Sequence, residues 1–308
     1  MRPFRDYLRT VEAERDGLRT ELQSFRESCG TFPPGHFYSP SPDLADLRRR
    51  EAELFGPVPR NLPGIDLNEQ GQMELLGALA AFYPELPFPE RADGRHRYWY
   101  ENDMYSYSDA IFLHSMLRHV RPARLVEVGS GHSSCVTLDT RDLFLGGRLD
   151  VTFIEPFPET LLSLLQPGDR DRIELIAKPL QEVDPGVFDR LERNDILFID
   201  STHVSKTGSD VNRLILEVLP RLVPGVYVHF HDAFYPFEYP REWVLRGFGW
   251  NELYLLRAFL AFNTEFEIVL FNTFLEHFHE EFFQERMPLC LRNRGGSLWI
   301  RRRQKPDR

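Results

Sequence analysis

Two groups of polar residues stand where apolar runs stop. The first is Leu125-Val126-Glu127-Val128-Gly129-Ser130-Gly131-His132-Ser133-Ser134, an apolar run that enters a glycine turn and then a pair of serines. Gly129 and Gly131 allow positive φ and close backbone approach to a ligand. Ser133 and Ser134 can cap a following helix or bind polar ligand groups. Glu127 interrupts the run, where an ionised carboxylate is costly unless paired. A ligand carrying an ammonium group would offset that cost, and so would an arginine near a partly exposed strand end. The second group is Asp200-Ser201-Thr202-His203 together with His231-Asp232, each following its own apolar run. Asp200 and Asp232, with both histidines nearby, could hold Mg²⁺ or another hard divalent cation through oxygen ligands. Without a metal, His203 is the first candidate for a general base, because imidazole titrates near neutral pH. His231 is its rival, and Asp232 could orient either ring. Each histidine alone is as readily a hydrogen-bonding group of a loop or core; their coincidence at run ends carries the inference.

Positioning these residues requires strands that deliver them to one edge. From about residue 97, short apolar runs alternate with helical patterns, which predicts βαβ units and a mostly parallel sheet. Seven strands are expected, over Arg124–Ser130, Asp150–Pro156, Ile173–Leu180, Asp195–Ser201, Gly225–Asp232, Phe266–Phe271 and Ser297–Arg302. Helices are expected over Ser108–Val120, Ser133–Leu145, Glu159–Leu165, Pro185–Leu191, Ser209–Leu222 and Asn251–Phe262. Right-handed crossovers would then set the strand C-termini along one edge, where open α/β sheets bind ligands. Before residue 97 lies a helical and irregular extension. Phe4, Tyr7, Leu8, Val11, Leu18, Leu22 and Phe25 recur at helical spacing among charges, so an amphipathic helix is expected there. Its stripe must pack either on the main domain or on a second subunit, which would make a homodimer. Thr31–Pro42 reads as irregular, Asp43–Leu54 and Asn68–Phe82 as helices. The division expected is an extension over 1–96, a ligand-binding domain over 97–303 and a basic tail over 304–308.

Composition narrows the partners. In 308 residues, 42% are hydrophobic and 27% charged, ordinary for a globular chain with a real core. A net charge of −10 argues against a general nucleic-acid binder, which needs a basic face. Arg301, Arg302, Arg303, Lys305 and Arg308 cluster at the end but read as a solvated terminus. Cys29, Cys135 and Cys290 are odd in number and in no metal-ligand pattern, which suggests a reducing compartment. No apolar stretch reaches membrane-span length and no secretory signal is visible, so no membrane partner and a cytoplasmic site are expected. His277 and His279 read as part of a surface helix rather than a metal site.

Together these motifs resemble the class I S-adenosylmethionine (SAM) dependent methyltransferases, in their branch that acts on small-molecule hydroxyls. Val126–Gly131 matches the family's first motif, with Glu127 at its acidic position and Gly129, Ser130, Gly131 and Ser133 in the loop near the methionine part of SAM. Glu155, after the second run, falls at the ribose-binding acid; a helix-capping acid before Pro156 is the lesser reading of the same residue. Leu180 and Gln181 resemble the segment that borders adenine. Asp200, Ser201 and His203 lie where the family presents cofactor- and substrate-proximal groups. The pair Asp200 and Asp232 resembles the metal site of the metal-dependent branch, although Ala233 stands where a further acid or amide is usual. The resemblance implies a Rossmann-like seven-stranded sheet sandwiched by helices, SAM as cofactor, and methyl transfer to an oxygen or nitrogen of a small molecule. Two other readings stay open, a SAM enzyme of the same fold with different chemistry and a non-catalytic SAM-binding protein. A dinucleotide oxidoreductase is disfavoured, because Ser134 stands where the G-x-G-x-x-G fingerprint needs its third glycine. Tyr105 and Tyr107 could cover the cofactor or, as readily, pack over the sheet edge, and the aromatic segment Phe234–Glu252 is placed to form a lid or substrate wall.

Overall fold

A computed structural model describes residues 2–28 and 30–304. Cys29, Lys305 and Arg308 therefore lie outside the described residues. The chain divides into two compact units, residues 1–57 with 240–249, and residues 58–239 with 250–308.

The larger unit holds one seven-stranded sheet: β1 (Arg124–Val128), β2 (Asp150–Ile154), β3 (Glu174–Ile176), β4 (Ile196–Ile199), β5 (Tyr227–His231), β6 (Phe266–Phe271) and β7 (Ser297–Arg302). Their order is β3-β2-β1-β4-β5-β7-β6. The first five run parallel, and β7 lies antiparallel to both β5 and β6. The parallel centre is apolar because helices cover both faces: Phe153, Phe198, Phe230 and Trp299 are fully buried. The expected Rossmann-like, mostly parallel sheet is what the chain forms.

Two helices flank the glycine turn. Tyr107–Val120 is buried from Tyr107 to Leu117, and His132–Phe144 starts directly after Gly131. Their junction with the preceding irregular segment is fixed by Arg97, whose guanidinium donates to Asp139 at 2.8 Å and Asp169 at 2.6 and 2.7 Å. Asp142 lies 2.9 Å from the same group. A buried cation with three carboxylates around it is tolerable because each charge has a partner.

Several elements are shorter than predicted. The helix expected over Ser209–Leu222 is α-helical only over Asp210–Arg213, widens to a π-turn over Leu214–Val218 and tightens at Leu219–Arg221. Pro220 has no N–H to continue it. Asn68–Phe82 ends its α-helix at Leu79 and continues as a 3₁₀ turn to Glu85. His277 ends one short helix and His279 separates it from the next, with Nε2 2.7 Å from Glu69. Of the basic cluster, Arg301 pairs with Glu267 and Arg303 with Asp66, so these two are tied down. Cys135 and Cys290 are free and buried. Among the described residues no helix is long and apolar enough to cross a membrane.

The smaller unit contains the long helix Arg2–Ser28, an irregular aromatic stretch, and the short helices Leu44–Arg49, Glu51–Leu54 and Arg241–Leu245. Asp43 caps the second of these by accepting from Ala45 N at 2.8 Å. Arg241 reaches Glu51 at 2.6 Å and ties the 240–249 segment to this unit.

Candidate active site

The C-terminal ends of β1, β2, β4 and β5 open on a cavity of about 470 Å³. Gly129, Ser130, Gly131, His132 and Ser133 line it from β1, Glu155 from β2, Asp200 to His203 from β4, and His231 and Asp232 from β5. Met104, Tyr105, Phe157 and Trp250 complete its wall.

The glycines differ in what they do. Gly129 has φ +79°, and a Cβ there would stand 1.9 Å from the Asp200 carbonyl oxygen. Its neighbour in space is therefore protein, the end of β4. Gly131 has φ −170°, and a Cβ there would find no atom within 4 Å. Only this second glycine opens space for a ligand. Ser134, in the place of the missing third glycine, accepts from Gly131 N at 3.1 Å and donates to Glu127 at 3.0 Å.

Glu127 lies on β1 with Phe153 and Phe198 as its strand neighbours and is wholly buried. Its Oε1 accepts from Ser133 Oγ at 2.5 Å as well as from Ser134. Burial, only partly countered by these two hydroxyls, pushes its carboxyl up to about 8. Glu127 does not line the cavity, and its Oε1 is held by the hydroxyls of the first turn of the next helix. Oε2 remains buried without a partner. The folded protein thus keeps a proton that the unfolded chain releases near 4.5, so the stability held by neutral Glu127 is full below 4.5 and is lost as pH rises through 8. Glu127→Gln mimics the neutral form. Thermal melts are expected to show the wild type losing stability relative to this variant between pH 4.5 and 8. SAM affinity measured by calorimetry should change less than about tenfold, about 1.4 kcal/mol. A hundredfold loss would show direct contact between Glu127 and the ammonium group.

Glu155 remains on the wall. Its Oε2 accepts from Ser130 N at 3.1 Å and Oε1 from Phe157 N at 2.8 Å. Two backbone donors fix the carboxylate in place while each oxygen keeps a free lone pair. Leu180, expected beside adenine, is buried and off the wall. Tyr105 lines the cavity, 5.0 Å from the His231 ring, whereas Tyr107 stacks on Tyr100 at 4.9 Å. Of the aromatic segment after β5, Trp250 reaches the wall.

His203 is the centre of the polar end. Its backbone is left-handed at φ +58°, held where Asn251 N and Glu252 N both donate to its carbonyl, at 2.9 and 3.1 Å. Nδ1 lies 2.9 Å from Glu252 Oε2, and Nε2 stands 3.3 Å from Asp200 and 3.7 Å from Asp232. Trp250 covers the ring at 4.3 Å between centroids. Burial alone would lower its titration, but the hydrogen bonds and charges of Asp200 and Glu252 outweigh this and raise it to about 10. These carboxylates thus favour the charged form of the His203 ring, the form that donates rather than accepts a proton. Burial would raise Asp200, yet His231 and His203 hold it below the usual carboxylate range. Burial raises Asp232 despite His231 and His203, and its backbone too is left-handed, at φ +52°. His231 is lifted by Asp232, Asp200 and Asp109 against the opposing effect of burial, and its Nδ1 has no partner.

A divalent ion does not fit this arrangement. Among the described residues no three His, Cys, Asp or Glu side chains converge as metal ligands. The space between Asp200 and Asp232 is filled by the His203 imidazole. The SAM side does fit: Ser130 Oγ is buried without a partner, Gly131 leaves open space, and the Glu155 carboxylate faces the cavity. Glu252 had no sequence signal beyond an acid at a helix start, where such residues are common.

The sheet order is that of a Rossmann-like α/β fold, with a cavity at the strand C-termini where such folds bind ligands. Residues 126–233 match the sequence profile of a methyltransferase domain. An uncharacterised protein of Archaeoglobus fulgidus is 36% identical over 186 residues, 59% of this chain and 84% of that protein. Among solved structures, the chain is similar to the Podospora anserina methyltransferase PaMTH1 bound to SAH, at 15% identity and a TM-score of 0.43, over 84% of this chain and 95% of that one. The O-methyltransferase TomG of Streptomyces achromogenes gives 15% and 0.41, over 84% and 96%. The chain belongs to the class I SAM-dependent methyltransferase family.

Proposed function

We propose that this enzyme methylates an oxygen or nitrogen of a small molecule without a divalent cation, with Asp232 as the proton acceptor. What supports this is one continuous cavity that joins the glycine turn and Glu155 to Asp200, His203, His231 and Asp232. Three strand spacings separate the ends of β2 and β5, about 14 Å, room for an extended cofactor at one end and an acceptor at the other. Bound SAM supplies a methyl group on a sulfonium, an electrophile that needs only a well-placed nucleophile.

The chain's own residues then have separate tasks. Glu155 accepts hydrogen bonds from the ribose hydroxyls, and Ser130 and Ser133 serve the amino-acid end. His203, fixed as a cation by Glu252 and Asp200, holds the carboxylates apart in a defined geometry. Asp232, raised by burial and standing on the wall, receives the proton of the acceptor group, and His231 beside it balances the charge. Tyr105 and Trp250 exclude water and offer apolar faces to the substrate.

Incubating the protein with methyl-labelled SAM, a panel of hydroxyl and amine acceptors, and a chelator tests this reading. Label is expected in an acceptor with chelator present. Label that appears only when a divalent ion is added would overturn the metal-free assignment. SAM that binds while every product stays unlabelled would overturn methyl transfer.

A further inference from the structure

The helix Arg2–Ser28 is 27 residues long, about 40 Å at 1.5 Å per residue, and each of its described side chains is exposed. Tyr7, Val11, Leu18, Leu22 and Phe25 are between 41% and 65% exposed. A helix with Gly17 at its middle, costing about 1 kcal/mol against alanine, is marginal in water without a partner.

The spacing of the stripe is that of a coiled-coil seam. Phe4, Val11, Leu18 and Phe25 fall at every seventh residue, and Leu8, Arg15 and Leu22 form the second series between them. In heptad terms the first series is d and the second is a, sustained over just more than three heptads. The flanks are patterned as well. Tyr7, Glu14 and Glu21 occupy g, and Arg5, Glu12, Arg19 and Arg26 occupy e. In a parallel pair each g residue faces the e residue five positions on in the other helix. Glu14 then meets Arg19 of a second copy, and Glu21 meets Arg26, each on both sides. In an antiparallel pair g faces g and e faces e, which sets Glu14 and Glu21 against carboxylates and, of the e residues, gives an opposite charge only where Glu12 meets an arginine.

We infer that Arg2–Ser28 is a dimerisation helix that pairs in parallel with the same helix of a second copy of this chain. Charge complementarity selects the occupant and the direction together. Arg15 at an a position is the kind of polar interruption that fixes register at some cost in stability. The helix carries six arginines and six acidic residues, so it lacks the basic face that would direct it to an anionic membrane.

Sedimentation velocity on the full chain across a range of concentrations tests the pairing. The wild type should show twice the 36.2 kDa chain mass. Glu14→Arg with Glu21→Arg should shift it to monomer, and so should Arg19→Glu with Arg26→Glu. An equimolar mixture of the two variants should recover the dimer, because every facing charged pair is again opposite in charge. Recovery in the mixture also shows that both variants are folded. Leu18→Cys in a Cys29→Ser background should cross-link to itself on oxidation, which an antiparallel pair with another centre would not do. A monomeric wild type, including one that binds anionic vesicles as a monomer, would overturn the inference. So would a dimer indifferent to both charge reversals.

Discussion

Replacing Gly129 by alanine is expected to leave little folded protein, whereas the same change at Gly131 should leave the fold intact and disable cofactor binding. The two glycines are separated by one residue and look alike in the sequence, so the contrast is a test of the structure. At Gly129 the new methyl would stand 1.9 Å from the Asp200 carbonyl oxygen. Neither side can yield. Asp200 N donates to Val128 O at 2.8 Å, and Gly129 N donates to Ile154 O at 3.0 Å, so the turn is pinned between β2 and β4. The left-handed backbone adds about 1–3 kcal/mol for any residue with a side chain. Overpacking typically costs about as much again, against a total stability of only about 5–15 kcal/mol. Circular-dichroism melts of Gly129→Ala should show a transition lowered by about 10 °C or more, or no soluble protein at all. Gly131→Ala should melt within about 2 °C of wild type, since its methyl meets no atom within 4 Å. Its affinity for SAM should fall at least about tenfold, because that methyl enters the cavity. A stable Gly129→Ala protein would refute the packing of the turn. Undiminished affinity in Gly131→Ala would show that the cofactor lies elsewhere.

The same turn shows how far the sequence could be read. Apolar runs framed by polar residues gave β6 and β7 their observed bounds, Phe266–Phe271 and Ser297–Arg302. The run Ile173–Leu180 is longer than the strand it forms: it lies at the sheet edge, pairs on one side only, and turns at Lys178, whose N donates to Ile176 O at 2.9 Å, leaving Glu174–Ile176. The cavity was legible because parallel topology gathers strand ends, and Asp200, His203, His231 and Asp232 are all at such ends. A carboxylate inside an apolar strand needs a donor, and for Glu127 that donor lies close by in the sequence. Ser133 and Ser134, six and seven residues on, supply it across the glycine turn. Glu252 was illegible for a different reason. It lies 49 residues from His203, and nothing local marks an acid at a helix start as the partner of a distant imidazole.

That partner decides the second large effect. With Glu252 on Nδ1 and Asp200 and Asp232 around Nε2, the His203 ring sits among three carboxylates as their shared counter-charge. Wild-type activity is therefore expected to be unchanged by chelators and by added Mg²⁺. His203→Gln keeps the approximate shape but removes the charge, leaving buried acids to repel one another or to take up protons. Methyl transfer should fall at least about a hundredfold, about 2.7 kcal/mol, while SAM still binds. The stability that the charged ring contributes is full below its unfolded value of 6.5 and disappears as pH rises through about 10. The difference in melting temperature between wild type and His203→Gln should thus be large at pH 6 and shrink towards pH 10. His203→Ala goes further and empties the place. Mn²⁺ or Mg²⁺ is expected to leave the melting temperature of this variant as unchanged as that of the wild type, because no three His, Cys, Asp or Glu side chains among the described residues converge as metal ligands. A wild type that loses activity to a chelator would show that an ion and the imidazole share the space. A His203→Gln enzyme with unaltered turnover and unaltered pH dependence would show that the ring is ordinary packing.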